Sequence, residues 1–480
     1  MRRSDAFMRG KNGRPASPFP ISRRQAVLVA LGGLLTGLSA GRLRADAIVP
    51  TLQVNTAAKP KSVKLFTASG AGSKDGRDWP NAMPIGALAK AMGSARPGSG
   101  FLIGFDPAGG EPASLDQGQI VIRASGDEDS PLFVQAGLIE GDDRIDAAAR
   151  DATSFFKSTR PWSLDNFGKR GGSAYFAVAN GASHLRISGF RVDGTPPDGF
   201  FKFRGKEPTT FNDILISGID AKNVGRVIET EKGALLQNLI VEDCRAIGIV
   251  RGFARFRNLS DATFRNLELD AANMDGGGKN VCQLIALAAG ENVLFENVIL
   301  RNALNQPPPP QEGKEPGYVQ GDGIVCEKKT KNVTIRKCQA SGMGDGGFDL
   351  KTTNVTIEDS STDSCKFGAR IWVDGDNVIR RCEFRNPQSR NGTQGACIQV
   401  SATLQIVDTK LHAGPGTVAV SLRQHKDREP PVVQMHGGSI ETEGDGRVAG
   451  ANAAGILELH NVMVNGVATN HRYVFEKKKD

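Results

Sequence analysis

A seven-residue motif recurs along the chain at a fixed interval. Its clearest copies are residues 332–338, 354–360 and 376–382, whose central isoleucines follow one another every 22 residues. With weaker copies the centres number eleven: Ile187, Ile216, Val241, Phe264, Phe295, Ile335, Ile357, Ile379, Ile406, Met435 and Leu459. Repetition at a fixed period indicates stacked units that bury their faces on one another, so this feature constrains the fold more than any other.

The residues around each centre also repeat in type. Asn or Asp stands three residues before the centre in seven of the eleven copies, and an apolar residue stands two before it in ten. Alternation at period two indicates strands with one buried face, and Asx residues tolerate the left-handed turns between strands. Centres 22 to 40 residues apart leave room for three short strands in each coil. The pattern predicts an all-β, right-handed parallel β-helix of about eleven or more coils, with Asx side chains stacked in ladders.

The chain divides into four expected segments. They are an export signal at 1–47, an N-terminal cap with the first coils at 48–180, the β-helix at 181–465, and a C-terminal cap and tail at 466–480. A helix predicted at 84–94 covers one open end of the β-helix, and residues 473–475 are expected to fold back over the other end. Both devices protect strand edges that would otherwise pair with other chains.

The first 47 residues have the pattern of an export signal. Arg23 and Arg24 precede an apolar run at 26–40, and Ala45-Asp46-Ala47 offers a small-residue cleavage site. The run is too short to span a bilayer as a helix. The paired arginines predict a twin-arginine signal and a periplasmic or secreted protein. A general secretory signal and an N-terminal anchor are the alternatives, and no other stretch is long and apolar enough to cross a membrane.

The basic charge of the chain comes almost entirely from this signal. The formal net charge is +8, and residues 1–47 hold nine Lys or Arg against two Asp or Glu. The remainder is close to neutral, which argues against nucleic acid as a partner. We expect a monomer.

Seven cysteines in an exported chain normally suggest disulfides. However, Cys244, Cys338 and Cys382 all fall three residues after a motif centre, which is an inward position. Cys338 and Cys382 lie two coils apart, about 10 Å, which is beyond the reach of a disulfide. These three are predicted to be small core residues, whereas Cys326 and Cys365 are left open. The chain has no Cys-X-X-Cys pair, so zinc is not expected.

A second strand follows the motif in four consecutive coils, at 323–327, 347–351, 368–372 and 395–399. The residues expected to face outwards form two columns: Val325, Asp349, Arg370 and Cys397; and Glu327, Lys351, Trp372 and Gln399. Asp349 is therefore predicted to lie beside Arg370, and Lys351 beside Glu327. Asp322 and Asp345 lead into the same strands.

Such a patch has a structural explanation, because opposite charges on adjacent strands stabilise a sheet face. The long Pro-rich insertion at 305–317 argues for function instead, since it stands just before Asp322 and would wall one side of a groove.

Three short motifs in this patch resemble the active-site coils of polysaccharide lyase family nine, which belongs to the pectate lyase-like β-helix superfamily. They are Gly321-Asp322-Gly323, residues 344–349, and Phe367-Gly368-Ala369-Arg370. The resemblance implies that Asp322, Asp345 and Asp349 hold calcium. It also implies that the base stands at the position of Arg370. Gly346 replaces the second of two paired aspartates in the family pattern, and Arg370 replaces its lysine.

The reaction implied is calcium-assisted β-elimination on an acidic polysaccharide that contains uronic acid. Calcium, or Arg370 beside it, stabilises the developing enolate. The base is Arg370 or Lys351, the latter because burial and nearby cations lower a lysine pKa, although Glu327 opposes this. Trp372 is expected to stack on a sugar ring, and Glu327 and Arg423 to contact the substrate.

Two other classes of function stay open. A glycoside hydrolase would need two carboxylates placed as acid and base, and an epimerase could use the same fold. A non-catalytic protein that binds carbohydrate or forms part of an envelope scaffold would need no reactive group.

Overall fold

The computed structural model describes residues 58–106, 113–114, 119–140, 145–146, 155–157, 174–194, 199–274, 281–305, 317–426 and 428–476. The predicted export signal, residues 306–316 of the Pro-rich insertion and the lysines at 477–479 lie outside these residues. The predictions made for them stay predictions.

The N-terminal part begins with short strands and one short helix. Its elements are β1 (Ser62–Thr67), a 3-10 turn (Trp79–Asn81), β2 (Met83–Pro84), a second 3-10 turn (Ile85–Ala87), α1 (Leu88–Met92), β3 (Ser99–Phe105), β4 (Ala113–Ser114), β5 (Ile120–Ile122), β6 (Leu132–Ile139), β7 (Ile145–Asp146), β8 (Phe156–Lys157) and β9 (Phe176–Val178).

The central coils have longer strands. These are β10 (Leu185–Ser188), β11 (Arg191–Asp193), β12 (Phe201–Phe203), β13 (Thr209–Ser217), β14 (Asp220–Thr230), β15 (Ala234–Glu242), β16 (Arg245–Phe256), β17 (Asn258–Asp270), β18 (Gln283–Arg301) and β19 (Asp322–Arg336).

The C-terminal coils return to three short strands each. They are β20 (Gln339–Ser341), β21 (Gly346–Leu350), β22 (Thr353–Glu358), β23 (Ser361–Asp363), β24 (Phe367–Ile371), β25 (Val378–Arg380), β26 (Glu383–Arg385), β27 (Ala396–Val400), β28 (Leu404–Val407), β29 (Lys410–Ala413), β30 (Val418–Leu422), β31 (Val432–His436), β32 (Ser439–Thr442), β33 (Arg447–Ala451), β34 (Gly455–Val464) and β35 (Val467–Phe475).

The eleven motif centres form one continuous column. From Ile187 to Leu459, each centre is the direct parallel register partner of the next. All eleven are at most 1% exposed. The column continues towards the N-terminus through Val134 and Phe101. Parallel pairing of each coil with the next confirms the predicted parallel β-helix.

The Asx residues before the centres have the predicted conformation. Asn292, Asn332 and Asn354 have φ values of 56°, 55° and 58°, which lie in the left-handed region. Their amides form a ladder in which Asn332 Nδ2 donates to Asn292 Oδ1 at 3.0 Å and Asn354 Nδ2 donates to Asn332 Oδ1 at 2.9 Å. The left-handed turn provides the bend between two strands. The ladder gives each Asn side chain hydrogen-bond partners in the neighbouring coils.

Both ends of the β-helix carry caps. The predicted N-terminal helix is shorter than expected, since only Leu88–Met92 is α-helical, after a 3-10 turn. Leu88 and Met92 pack into the main core. At the other end, β35 pairs antiparallel with β34 and places Tyr473 opposite Leu457, which confirms the expected fold-back.

All seven cysteines are free and buried, as predicted for Cys244, Cys338 and Cys382. The predicted outward position of Cys397 is wrong, since it is 1% exposed and belongs to the core. Gln399, two residues further along β27, takes the expected place beside Arg370, and the Cys397 Sγ instead contacts the His412 carbonyl oxygen at 3.3 Å. Gly395 does not start the strand. A Cβ there would lie within 2.9 Å of the Gln388 backbone, so the glycine permits a close turn.

The amide ladder generates a stability prediction. Asn332→Ala removes a donor and an acceptor, and it also removes the polar side chain that lets asparagine adopt a left-handed turn, so we expect a loss of about 2 to 3 kcal/mol in the free energy of unfolding. Asn332→Asp keeps the turn preference and one acceptor, so about 1 kcal/mol should be lost. Denaturant titration measures both, and an alanine variant as stable as the original protein would contradict the role given to the ladder.

Candidate functional site

The predicted outward column forms on four consecutive coils. Val325 of β19 pairs with Asp349 of β21, and Asp349 pairs with Arg370 of β24, as predicted. Arg370 then pairs with Gln399 of β27. The sequence placed Gln399 beside Trp372 instead, and the same two-residue register error at β27 explains this.

Arg370 lies at the centre of the site. Its Nη1 donates to Asp345 Oδ2 at 2.7 Å, and its Nε donates to Gln399 Oε1 at 3.1 Å and lies 3.8 Å from Asp349 Oδ1. Burial opposes the positive charge, but Asp349 and Asp345 outweigh it, so the pKa of the guanidinium is raised. No described residue accepts a hydrogen bond from Nη2. Arg370 is thus a fixed cation with one nitrogen left to bind a ligand.

Aromatic rings enclose the same guanidinium. Its Cζ lies 4.3 Å from the Trp372 ring and 4.9 Å from the Phe367 ring. Phe367 forms a small buried cluster with Ala396 and Val418, separate from the main core. Cation–π contacts of this kind favour the charged form of arginine where water is excluded.

The surroundings of Asp322 and Asp345 favour the protonated, neutral form of each carboxyl. Asp322 is buried, and burial followed by the charges of Asp345 and Asp349 raises its pKa well above the ordinary value. Its Oδ1 accepts a hydrogen bond from the Gly346 backbone at 2.8 Å. Burial also raises the pKa of Asp345, against the opposing charge of Arg370. Asp322 is therefore a candidate proton donor.

Lys351 forms the predicted pair with Glu327 and a second pair with Asp349. Its Nζ lies 3.0 Å from Glu327 Oε1 and 3.1 Å from Asp349 Oδ2. Burial opposes the charge, yet Asp349 and Glu327 outweigh it, and the pKa of Lys351 is raised. Lys351 is thus held protonated, like Arg370.

Trp372 lies within this network rather than apart from it. Its Nε1 donates to Asp349 Oδ1 at 2.5 Å, and its ring stacks on that of His425, with centroids 5.4 Å apart. The Cζ of Arg423 lies 5.8 Å from the same ring. The structure therefore brings all eight predicted site residues to one region of the sheet.

Sequence reasoning missed Lys366 and Tyr318. Lys366 is fully buried, and its Nζ has no hydrogen-bond partner among the described residues. The amine lies 3.6 Å from the centroid of Tyr318, whose hydroxyl donates to Asp345 Oδ1 at 2.6 Å. Burial lowers the pKa of Lys366 to about 8, with Asp345 opposing. Neither residue belongs to a repeating column, and the only signal was a lysine directly before the Phe-Gly motif.

The three aspartates do not fit a calcium ion in this arrangement. Protein donors already occupy them: the Gly346 backbone binds Asp322, while Arg370 binds Asp345. Trp372 and Lys351 likewise bind Asp349. A Cβ at position 346 would lie 3.1 Å from the Asp349 Cβ and 3.3 Å from Asp322 Oδ1, so a further aspartate there would be crowded. Within the described part of the chain, no group of three His, Cys, Asp or Glu side chains is arranged to hold a metal.

Comparison with protein families gives one match. The model described as "Right handed beta helix region" matches residues 227–427, which contain the whole site. This segment is a right-handed β-helix. The predicted right-handedness is confirmed for this segment, whereas the likeness to the pectate lyase-like superfamily and to its family nine stays a prediction.

Comparison with solved structures finds similarities at low identity. Pectate lyase Pel9A is 13% identical, with 86% of this chain and 82% of that chain covered and a TM-score of 0.35. An alginate lyase from Paenibacillus sp. str. FPU-7 is 14% identical over 83% and 99% of the two chains, with a TM-score of 0.32. PfbA, a surface adhesin of Streptococcus pneumoniae, is 10% identical over 79% and 84%, with a TM-score of 0.36.

Comparison with curated proteins gives no significant match. None of the helices in the described ranges has the length and apolar character needed to cross a membrane.

The buried amine of Lys366 generates a second stability prediction. Its folded pKa, about 8, lies below the ordinary lysine value, so its charge costs stability at neutral pH. The cost falls as pH rises from about 8 to the ordinary lysine value, where the unfolded chain also loses the proton. Lys366→Met removes a buried donor that has no hydrogen-bond partner among the described residues, and this gain outweighs the lost cation–π contact. The variant should therefore be more stable by about 1 kcal/mol at pH 7.

Denaturant titration at several pH values checks this prediction. The advantage of the methionine variant should shrink as pH rises, while Lys329→Met, at an exposed lysine, should change little. A Lys366→Met variant that is less stable at pH 7 would contradict the assigned cost.

Proposed function

We propose that the protein is a polysaccharide lyase that cleaves an acidic, uronic-acid-containing polymer by β-elimination. One observation carries the proposal. A fixed guanidinium at Arg370, an unpartnered amine of lowered pKa at Lys366 and a buried carboxyl of raised pKa at Asp322 lie within three consecutive coils of one sheet region. β-Elimination needs a cation, a base and an acid together.

Arg370 takes the part of the cation. The C5 proton of a uronic acid residue becomes acidic enough to remove only when the charge of its carboxylate is masked. A guanidinium binds a carboxylate with directed hydrogen bonds, and Nη2 of Arg370 has no acceptor among the described residues. Its neighbours Asp345 and Asp349 keep it protonated. A fixed charge of this kind stabilises the enolate without reorganisation during the reaction.

Lys366 is the proposed base, in preference to Arg370 and Lys351. A base must lose its proton near the working pH, and the acidic neighbours of Arg370 and Lys351 raise the pKa of both. Only Lys366 among the three has a lowered pKa. The Tyr318 ring covers its amine and is 42% exposed. In this proposal the sugar displaces that ring when it binds.

The step balances in protons and electrons. The C5–H bond breaks, and the proton passes to Nζ of Lys366. The electron pair forms the C4–C5 double bond as the C4–O4 bond breaks. O4 takes the proton of the Asp322 carboxyl, and solvent restores both groups afterwards. The products are a shorter chain and a chain that begins with an unsaturated uronide.

The other predicted residues have supporting parts in this proposal. Trp372 and Arg423 line the sugar site, and Glu327 orders Lys351 beside Asp349. An acidic polymer of cell surfaces is met outside the cytoplasm, which agrees with the twin-arginine signal predicted at 1–47.

A glycoside hydrolase is the second candidate. It is favoured by Asp322, whose raised pKa suits a general acid, beside the carboxylate of Asp349. Hydrolysis, however, gives no role to the Arg370 cation or to the Lys366 amine.

Product analysis separates the candidates. The purified protein is incubated with polygalacturonate, alginate and neutral dextran, and both ultraviolet absorbance and reducing ends are followed. A lyase gives reducing ends together with the absorbance of an unsaturated uronide. Reducing ends without absorbance identify a hydrolase, and binding without either product identifies a non-catalytic protein.

The assigned base predicts the pH dependence of elimination. The fraction of Lys366 with a free amine grows as pH rises through about 8, so kcat/KM should rise in this range, and it should fall on the alkaline side as the Asp322 carboxyl loses the proton that O4 needs. Lys366→Met should lower kcat by about 100-fold or more, the usual contribution of a general base. Because the same change is expected to stabilise the fold, unfolding cannot explain the loss. Full activity of Lys366→Met, with Lys329→Met as control, would remove Lys366 from the mechanism.

The arginine in place of a metal predicts calcium independence. Elimination should continue in excess chelator, and calorimetric titration with calcium should give no binding heat. Arg370→Lys should be strongly impaired, because an ammonium cannot hold Asp345 and Gln399 and a substrate carboxylate in one plane. Stimulation by calcium that disappears in Asp349→Asn would instead support the calcium site implied by the family resemblance.

A further inference from the structure

A basic cleft opens on the coils that precede the site. Its volume is about 320 Å³, and its lining includes five basic residues, Lys202, Lys232, Arg251, Arg255 and Arg257. Two glutamates also line it. None of these residues was singled out by the sequence, because the charge of the chain beyond its signal is close to neutral overall.

The cleft and the site share one column of the same sheet. Lys202 pairs with Glu229, and Glu229 with Arg255. Arg255 pairs with Ala286, which pairs with Val325, the neighbour of Asp349. Three steps of parallel pairing separate Arg255 from Asp349, a distance of about 14 Å. The two positions of this column between them hold the buried apolar residues Ala286 and Val325, so the column has no charged side chain between the cleft and the site.

The cleft has positive charge that its own glutamates do not neutralise. Glu229 Oε2 already accepts from Arg226 Nη1 at 2.6 Å, and Glu231 lies 3.5 Å from Lys202. Neither Arg255 nor Arg257 has an ion pair with a described residue. Burial, and after it the charges of Arg257 and Arg226, lower the pKa of Arg255 against the opposing charges of Glu229 and Glu327.

We infer that this cleft is a binding subsite for carboxylate groups of the polymer, several sugar residues away from the bond that is cleaved. The inference rests on the proposed function for the identity of the ligand. Arg255 and Arg257 provide the guanidinium groups that recognise carboxylates through paired hydrogen bonds. A second cleft of about 550 Å³ adjoins it through Glu231 and adds Arg123, Arg204 and Lys206, so the basic surface continues away from the site.

Binding without turnover tests the subsite. Lys366→Met protein is titrated with polygalacturonate, dextran sulfate and neutral dextran, and the same titrations are made after adding Arg255→Gln and Arg257→Gln. The charge-matched control carries Lys222→Gln and Arg245→Gln, two exposed residues of the same coils. The Arg255/Arg257 change should raise the Kd for polygalacturonate about tenfold or more, because two charge-assisted contacts are lost. The control should bind as before.

Kinetics with the active protein give an independent reading. The Arg255/Arg257 change should raise KM for the polymer at unchanged kcat, and should leave cleavage of an oligosaccharide too short to span the distance unaltered. Equal polygalacturonate binding by the Arg255/Arg257 and control variants would overturn the subsite. Arginine-dependent binding of dextran sulfate alone would overturn its assignment to carboxylates. Arginine-dependent binding of polygalacturonate with no unsaturated product would keep the subsite and reject the lyase.

Discussion

In-register parallel stacking of coils is the constraint on which the rest of the structure depends. Each residue of a strand lies about 4.8 Å from its partner in the next coil, so a side chain must be compatible with those above and below it. Inside, this produces the unbroken column from Ile187 to Leu459. Outside, it sets Asp349 against Arg370, and a charge in either position requires an opposite charge in the other. The site is therefore a product of the same stacking that forms the core.

The buried charges of the site are compensated with one exception. Arg370 and Lys351 lie against aspartates, which offset the cost of removing them from water. Lys366 has the rings of Tyr318 and Phe367 near its amine, at 3.6 and 5.6 Å, but no hydrogen-bond acceptor among the described residues. A buried amine without an acceptor lowers stability, and proteins keep such groups where function needs them. The energetic cost of Lys366 is therefore the observation that supports its proposed role as the base.

The fold and part of the site were predictable because the coils repeat regularly. Asp349 beside Arg370 and Lys351 beside Glu327 followed from column alignment in coils of similar length. Gln399 was misplaced because the preceding loop shifts the start of β27 by two residues. Lys366 and Tyr318 lie outside the repeating strands, so periodicity carries no information about them. The calcium ligands came from a resemblance, and that resemblance does not describe how Arg370 occupies the space among the carboxylates.

A linear arrangement of charges suits a linear substrate. The basic cleft around Arg255 and the cation at Arg370 lie on one column, with Ala286 and Val325 between them. In the proposed reaction, binding at the cleft offsets the cost of seating the reacting sugar, which displaces the Tyr318 ring from Lys366 as it binds. A short substrate has no contact with the cleft to offset that displacement. In this proposal, the Tyr318 ring over Lys366 and the basic cleft together make long chains better substrates than short ones.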